Sequence, residues 1–494
     1  MKLIKKIAAI MFAFMMVVSM SCNVKAEDTE GVYGQKDGSI TITGALQGQT
    51  YTIYEMLKLE SFSGNNYSYK IADGWENFFK EGADGATYMK KDENGYMSFI
   101  AGKGGDADRR EFAQKALAYA TKATGINKET KPTQVNETTV TFNGLNLGYY
   151  LVGSTTGALC GLDTTNKHVD IEEKNGVPSV DKTITSGGVL ATDHKSNSVN
   201  IGDTVTFQTI IDVKKGAQGY VLHDTLSTGL KLISKINDYT DSPIMAVASG
   251  TDESGKAFNN NLTKDSHYTI TNDDHSFTVT ILDSYLKTHE TVDYHIAISY
   301  KAILTDAAVV GGAGNTNEAY LKYGVSSEST PSTTTTYTFG IPVFKYTGND
   351  EALAGAKFIL STDPDCEEST AIKFTRNSKD KYRYDTTGIT TLESLSTGRI
   401  DIEGLKAGTY YLKETKAPKG YNLLKDIQKI EILKDGSIKL NNAANTGDVK
   451  VKNNSGTVLP STGGAGTTMI YLIGALLVLG SGVVLVTKRR VKNK

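Results

Sequence analysis

The sequence predicts an all-β protein of three tandem β-sandwich domains, and three observations carry that prediction. Short runs of alternating apolar and polar residues recur between residues 28 and 456, the period of a strand with one buried face. Gly, Asn and Asp turn residues separate the runs, as in antiparallel sandwiches. Two composition breaks divide the 494 residues into pieces of ordinary domain size.

The clearest strands are Ser39-Ile40-Thr41-Ile42-Thr43, Thr204-Val205-Thr206-Phe207 and Phe277-Thr278-Val279-Thr280-Ile281. Gly408-Thr409-Tyr410-Tyr411-Leu412 follows the pattern less strictly. One amphipathic helix is expected near Asp108 to Thr124, where Phe112, Ala116, Leu117 and Tyr119 can share a face. The first break, Glu172-Glu173-Lys174-Asn175-Gly176-Val177-Pro178, combines charge, Gly and Pro. The second, Ser326 to Thr336, is rich in Ser and Thr and contains Pro331. The segments are then 27–175, with the helix as a small insertion, 176–336 and 337–456.

Both ends carry addresses. Residues 1–26 read as a secretory signal peptide: Lys2, Lys5 and Lys6, then an apolar stretch from Ile7 to Val18, then small residues up to a cleavage site at Ala26. At the other end Met469 to Val486 is 18 residues without a charge, about 27 Å as a helix and enough to cross a membrane. Lys488, Arg489, Arg490, Lys492 and Lys494 follow and hold that end in the cytoplasm. Directly before the span stands Leu459-Pro460-Ser461-Thr462-Gly463. Residues 459–494 together resemble the sorting signal of sortase substrates. That resemblance implies that a sortase cysteine attacks the Thr462 carbonyl, releases Gly463 onward and passes Thr462 to an amine. Pro460 stiffens an extended peptide that an enzyme cleft can take up.

Composition excludes several classes. Hydrophobic residues at 39% and charged residues at 22% suit folded domains, and a net charge of −2 offers nothing to nucleic acid. Once the signal peptide is removed, only Cys160 and Cys366 remain, in different segments, so no disulfide framework is expected. The seven His show no metal spacing. Asp363, Asp365, Glu367 and Glu368 could gather around Ca²⁺ but read better as a solvated loop. No nucleophile–base pairing and no phosphate-binding Gly loop is found. The expectation is a chain that is not an enzyme and that uses neither cofactor nor metal.

An exported protein without disulfides needs another lock, and four strands suggest one. Lys182 shares a face with Val180 and Ile184, and Lys345 with Ile341 and Val343. Glu414 follows Tyr410 and Leu412, and Asn453 follows Val449 and Val451. Period 2 turns each of these inward if its apolar neighbours point inward. Burial pushes Lys and Glu toward their neutral forms. A neutral amine can attack a carboxamide carbon while a protonated carboxyl polarises the carbonyl. Ammonia leaves and a Lys–Asn isopeptide bond remains. The plainer reading is that the lysines reach solvent at strand ends and that Glu414 pairs with a surface lysine.

Beyond these patterns the sequence resembles the sortase-assembled major (backbone) pilins of Gram-positive bacteria, over nearly the whole chain between the terminal signals. Tyr410-Tyr411-Leu412-Lys413-Glu414-Thr415-Lys416-Ala417-Pro418-Lys419-Gly420-Tyr421 is similar to the pilin E-box of Cna B-type domains. Leu353-Ala354-Gly355-Ala356-Lys357-Phe358 is similar to the segment after the lysine strand in such domains. Leu222-His223-Asp224-Thr225-Leu226-Ser227-Thr228-Gly229-Leu230 resembles the part of the middle domain that carries its catalytic Asp. Asn317-Glu318-Ala319-Tyr320-Leu321 resembles its last strand, with the acceptor Asn. Gly48 to Tyr54 and Leu147 to Val152 are similar to parts of the N-terminal pilin domain.

The resemblance implies immunoglobulin-like (Cna-type) sandwiches and two intramolecular bonds. One joins Lys182 to Asn317 with Asp224 as the acid, and Asp224 shares parity with Tyr220 and Leu222. The other joins Lys345 to Asn453 with Glu414 as the acid. Asn454 is an alternative acceptor that parity disfavours, whereas Asn315 has the parity of Asn317 and only the motif separates them. The first strand, Ser39 to Thr43, has no Lys, so no bond of this kind is expected in the first domain.

The family's polymerisation motif ends in Tyr-Pro-Lys-Asn after a Val-rich strand. Here Val169-Asp170-Ile171-Glu172-Glu173-Lys174-Asn175 agrees in position and in its Lys-Asn ending but lacks the Tyr-Pro. The resemblance implies that a pilin-specific sortase joins Thr462 of one subunit to Lys174 of the next, with Lys174 exposed and Lys182 buried. The partners it implies are identical subunits, pilin-specific and housekeeping sortases, peptidoglycan, minor pilins and host ligands. A singly wall-anchored adhesin or accessory pilin would share these features except a working Lys174.

Overall fold

The computed structural model describes residues 36–46, 49–63, 66–103, 105–132, 134–136, 138–154, 157–162, 168–173, 176–233, 244–324, 327–377, 381–456 and 465–491. The signal peptide with Ala26, Lys174 with Asn175, and Leu459 to Gly463 lie outside the described residues.

Alternation becomes paired strands. Gly38–Thr43 lies between His168–Glu172, parallel to it, and Thr139–Leu145, antiparallel to it. Register sets Ile40 beside Val169 and Phe142, and Ile42 beside Ile171 and Val140. All six are buried because period 2 sends them to one face. A second sheet, centred on Tyr51–Ser63, adds Tyr51, Ile53 and Val152 to that core. Between Asn66–Ile71 and Thr139–Leu145 the chain forms the expected helical insertion, with helices Glu76–Phe79 and Asp106–Ala120. Phe112, Ala116 and Leu117 are buried against Trp75, Phe78 and Phe79. Tyr119 is half-buried. The helix ends at Ala120 rather than Thr124. The Thr121 hydroxyl donates to the Leu117 and Ala118 carbonyls, and Gly125 takes a φ of 85° that turns the chain away.

Residues 179–337 form a second pair of sheets. One runs Ser179–Ile184, Thr204–Val213, Tyr294–Leu304, Met245–Thr251, Ala257–Asn261. The other runs Ser196–Ser198, Ser332–Tyr337, Asn315–Tyr323, Val221–Leu226, Ser276–Ile281, Tyr268–Asn272. Phe207, Ile211, Ile296 and Ile298 on the first share one core with Leu222, Val279, Ala319 and Leu321 on the second. Ser326 to Thr336, read from composition as a break, supplies the strand Ser332–Tyr337, with Thr334 and Thr336 buried. Thr is β-branched, so a Thr run that looks like a linker by composition fits a pleated surface.

The third pair of sheets starts with Phe339–Thr347, which lies parallel to Val449–Lys452 and sets Val343 beside Val449 and Lys345 beside Val451. Its sheet continues through Arg399–Leu405, Lys381–Tyr384 and Phe374–Arg376. The opposing sheet includes Lys357–Ser361, Gly408–Lys416 and Gln428–Ile432. Among the described residues, no sheet mixes strands from 38–172, 179–337 and 339–452. The chain divides into two compact units. One ends at Phe339 and includes Gly404–Ala407, and the other holds Gly340–Glu403 and the chain from Gly408 onward. The C-terminal helix Ala465–Val491 contains a stretch, Met469–Arg489, long and apolar enough to cross a membrane.

The only tryptophan in the chain, Trp75, stands 5.4 Å from Phe78 in the helical insertion's aromatic cluster, which also holds Phe112. Phe112→Ala should lower the stability of this region by about 3–5 kcal/mol. Denaturant unfolding followed by Trp fluorescence reads it directly, and an unchanged midpoint would show that the helix is not packed as described.

Candidate functional site

Among the described residues two lysines are buried, Lys182 and Lys345, and both are 0% exposed. Each sits where its strand's alternation requires, in the series Val180, Lys182, Ile184 and Ile341, Val343, Lys345. An ammonium at such a site loses its hydration and must find partners.

In the middle segment, Lys182 and Tyr300 stand on one sheet, and Asp224 and Asn317 on neighbouring strands of the facing sheet. Lys182 Nζ donates to Asp224 Oδ2 at 2.5 Å and to the Tyr300 hydroxyl at 2.6 Å. That hydroxyl donates to Asp224 Oδ1 at 2.9 Å and accepts from Asn317 Nδ2 at 2.6 Å. Asn317 Oδ1 has no hydrogen-bond partner among the described residues. Phe207 stacks on Tyr300 at 5.5 Å between centroids, Phe277 meets it edge-on at 4.7 Å, and the aromatic wall keeps the cluster dry. Burial pushes the Lys182 amine below its ordinary value and the Asp224 carboxyl above its own, each partly offset by the other's charge. The directions converge on a neutral amine beside a protonated acid. Burial also raises Tyr300, so its hydroxyl keeps its proton.

Asn315 is equally buried but otherwise engaged. Its Nδ2 donates to the Val309 and Thr336 carbonyls, and its Oδ1 accepts from Val309 N. Asn317 Nδ2, by contrast, donates to the Tyr300 hydroxyl that Lys182 Nζ also reaches.

In the last segment, Lys345 lies on Phe339–Thr347, Asn453 directly follows its parallel partner Val449–Lys452, and Glu414 comes from the opposing sheet. Lys345 Nζ donates to Asn453 Oδ1 and, at 3.0 Å, to the Val451 carbonyl. Asn453 Nδ2 donates to Glu414 Oε2 at 3.0 Å and to the Asn422 carbonyl at 2.7 Å. Leu424 N fixes the same Glu414 oxygen at 2.7 Å, and Glu414 Oε1 lies 3.7 Å from Lys345 Nζ. Desolvation lowers Lys345 to about 8, against the opposing pull of Glu414. Asn454 is exposed, and its backbone carbonyl accepts from Asn422 N.

Three groups were not singled out from the sequence: Tyr300, the Asn422 carbonyl, and, in the first segment, the buried Glu55 with its exposed partner Asn127. Asn127 Nδ2 donates to Glu55 Oε2 at 3.1 Å, with Glu55 only 3% exposed and its carboxyl raised by desolvation. Tyr300 lies in Ile296-Ala297-Ile298-Ser299-Tyr300, which reads as ordinary core. The acidic loop at Asp363 is occupied by its own turn: Asp363 Oδ1 accepts from Asp365 N, and Glu367 pairs with Lys413 at 3.1 Å.

Residues 341–446 match the SpaA family of prealbumin-like fold domains, and residues 451–494 match the LPXTG cell wall anchor motif. No curated protein matches the chain. Among solved structures, the T6 backbone pilin of serotype M6 Streptococcus pyogenes is 17% identical with a TM-score of 0.51, over 82% of this chain and 81% of that one. The full-length major pilin SpaD of Corynebacterium diphtheriae is 18% identical with a TM-score of 0.47, over 87% of this chain and 100% of that one. The group B streptococcus pilus 2b backbone protein is 25% identical with a TM-score of 0.42, over 57% and 99%. The anchor motif followed by the apolar helix makes this chain a cell wall-anchored surface protein, one that carries a SpaA prealbumin-like domain and shares the fold of a Gram-positive backbone pilin.

Proposed function

We propose that the chain is the major structural subunit of a covalently polymerised, sortase-assembled pilus, and that each subunit closes two Lys–Asn isopeptide bonds in itself. What supports the reading is the coincidence, twice in one wall-anchored chain, of a fully buried lysine with an acid and a carboxamide. Water, metal or an external enzyme is not needed for the step. The neutral Lys182 amine attacks Asn317 Cγ, and protonated Asp224 supplies a proton to the developing oxyanion and recovers one as the carbonyl re-forms. The proton that Nζ sheds ends on Nδ2, the Cγ–Nδ2 bond breaks, and Nδ2 leaves as ammonia. In the last segment Lys345 is the amine, Asn453 the carboxamide and Glu414 the acid, held at Asn453 Nδ2. Each centre acts once, on its own chain.

Between subunits, the sorting signal supplies the acyl group at Thr462 and Lys174 the amine, so the sortase joint and the internal bonds are both amides. The internal link from Lys182 to Asn317 closes a loop long enough to remove about 4–5 kcal/mol of unfolded-chain entropy, on the scale used for disulfides. Unlike a disulfide, it survives reducing conditions.

Three outcomes are expected. The intact mass of the mature protein should fall about 34 Da below its sequence mass, one ammonia per bond, and Lys182→Ala should restore half of that deficit; a mass equal to the sequence would rule out both bonds. Wall extracts should run as a ladder of covalent multimers that Lys174→Ala collapses to one band, whereas a single band in the unmodified protein would favour a singly anchored adhesin. In Asn453→Ala the Lys345 amine stays free. Its folded value of about 8 lies below the ordinary 10.5, so between those values the unfolded chain holds a proton that the folded one has released. Stability of the last domain should therefore rise as pH climbs from about 8 toward 10.5 and stay level below that window. Chemical denaturation of Asn453→Ala beside a Lys345→Met, Asn453→Ala control isolates the effect, and parallel profiles would show that the amine is not depressed.

A further inference from the structure

The two centres solve one geometric problem differently. In the last segment the acid reaches the amide nitrogen itself, with Asn453 Nδ2 on Glu414 Oε2 at 3.0 Å. In the middle segment the acid is Asp224, one methylene shorter, and among the described residues it makes no hydrogen bond to Asn317. The Tyr300 hydroxyl fills that interval, 2.9 Å from Asp224 Oδ1 and 2.6 Å from Asn317 Nδ2. It also stands 2.6 Å from Lys182 Nζ. A hydroxyl has one proton to donate and two lone pairs to accept with. Here the proton goes to Asp224, and the lone pairs go to the two nitrogens that exchange places on Asn317 Cγ.

Resting on the reading that Lys182 and Asn317 become bonded, we propose that Tyr300 is a catalytic residue of that step, carrying a proton from the attacking nitrogen to the leaving one. As Nζ bonds to Cγ it must shed a proton, and as the Cγ–Nδ2 bond breaks Nδ2 must gain one. The Tyr300 oxygen takes the first while its own proton swings from Asp224 Oδ1 to Nδ2, so the hydroxyl ends as it began. Asp224 handles the carbonyl oxygen and also ends unchanged. The products are the Lys182–Asn317 amide and ammonia. The phenol keeps the ring between Phe207 and Phe277, which fixes the hydroxyl's position without a mobile side chain.

An ordinary buried tyrosine also finds a hydrogen-bond partner. The distinguishing point is which partners these are, and the test follows from it. The full chain is made by cell-free synthesis, and intact mass and cross-linked peptides are read at intervals for the unmodified protein, Tyr300→Phe, and Tyr300→Phe combined with Asp224→Glu. The Lys345–Asn453 deficit serves as an internal clock. Tyr300→Phe should slow the Lys182–Asn317 bond by about 100-fold or more, the usual range for a lost proton-transfer group, and leave the other bond unaffected. The longer acid should restore much of the rate, as Glu414 needs no hydroxyl. Formation in Tyr300→Phe at the unmodified rate overturns the proposal. So does loss of the bond in both variants, which is the outcome of a merely structural hydroxyl. Absence of the Lys182–Asn317 peptide from the unmodified protein instead overturns the function on which the proposal rests.

Discussion

Removing an amine from water is the constraint around which this chain is built. A lysine in a β-sandwich core cannot keep its charge without partners, and its neutral form is a nucleophile. The same burial that makes Lys182 and Lys345 expensive as ordinary core residues is what would make them reactive in the proposed bond formation. The sandwich supplies what the reaction requires: two sheets close enough for side chains from both to meet, and aromatic rings that keep solvent out. Fold and chemistry depend on one act of desolvation, so a loosely packed domain would lose both.

The two centres share residue types but not geometry. In the middle segment the lysine faces its amide across the space between the sheets, and the acid sits beside the amide on a neighbouring strand. In the last segment lysine and amide are neighbours in one sheet, and the acid crosses from the other. Asp in the first case and Glu in the second follow from these distances. The choice of acid is thus a matter of reach as much as of acidity.

Much of this was legible in the sequence because a strand has period 2. Parity alone turned Lys182, Lys345, Glu414 and Asn453 inward, the family resemblance added Asp224 and Asn317, and each is buried. Parity could not choose between Asn315 and Asn317, which occupy equivalent faces. That choice rests on which backbone groups claim the Asn315 amide, a tertiary fact. Tyr300 was invisible for the same reason: an aromatic residue in an Ile-rich strand announces burial, and nothing local says where its hydroxyl points. Glu55 escaped because its partner Asn127 is remote in sequence. The strand Ser332–Tyr337 was not foreseen because its Thr repeat reads by composition as a break, although Thr fits a pleated surface. The helix end near Ala120 depended on a side-chain cap that periodicity does not register.

The parallel pairing of Phe339–Thr347 with Val449–Lys452 has a mechanical meaning. Chain enters the domain at one end of this pair and leaves at the other, so tension along the chain shears the two strands past each other. Shear loads every hydrogen bond between them at once, whereas opening from one end would load them singly. The proposed covalent link from Lys345 to Asn453 would lie on that line of force. Tension would then pass from the first strand to the last without entering the hundred or so residues between them. Those residues would be free to vary, carrying loops and surface, while the load travels along a path a few side chains wide.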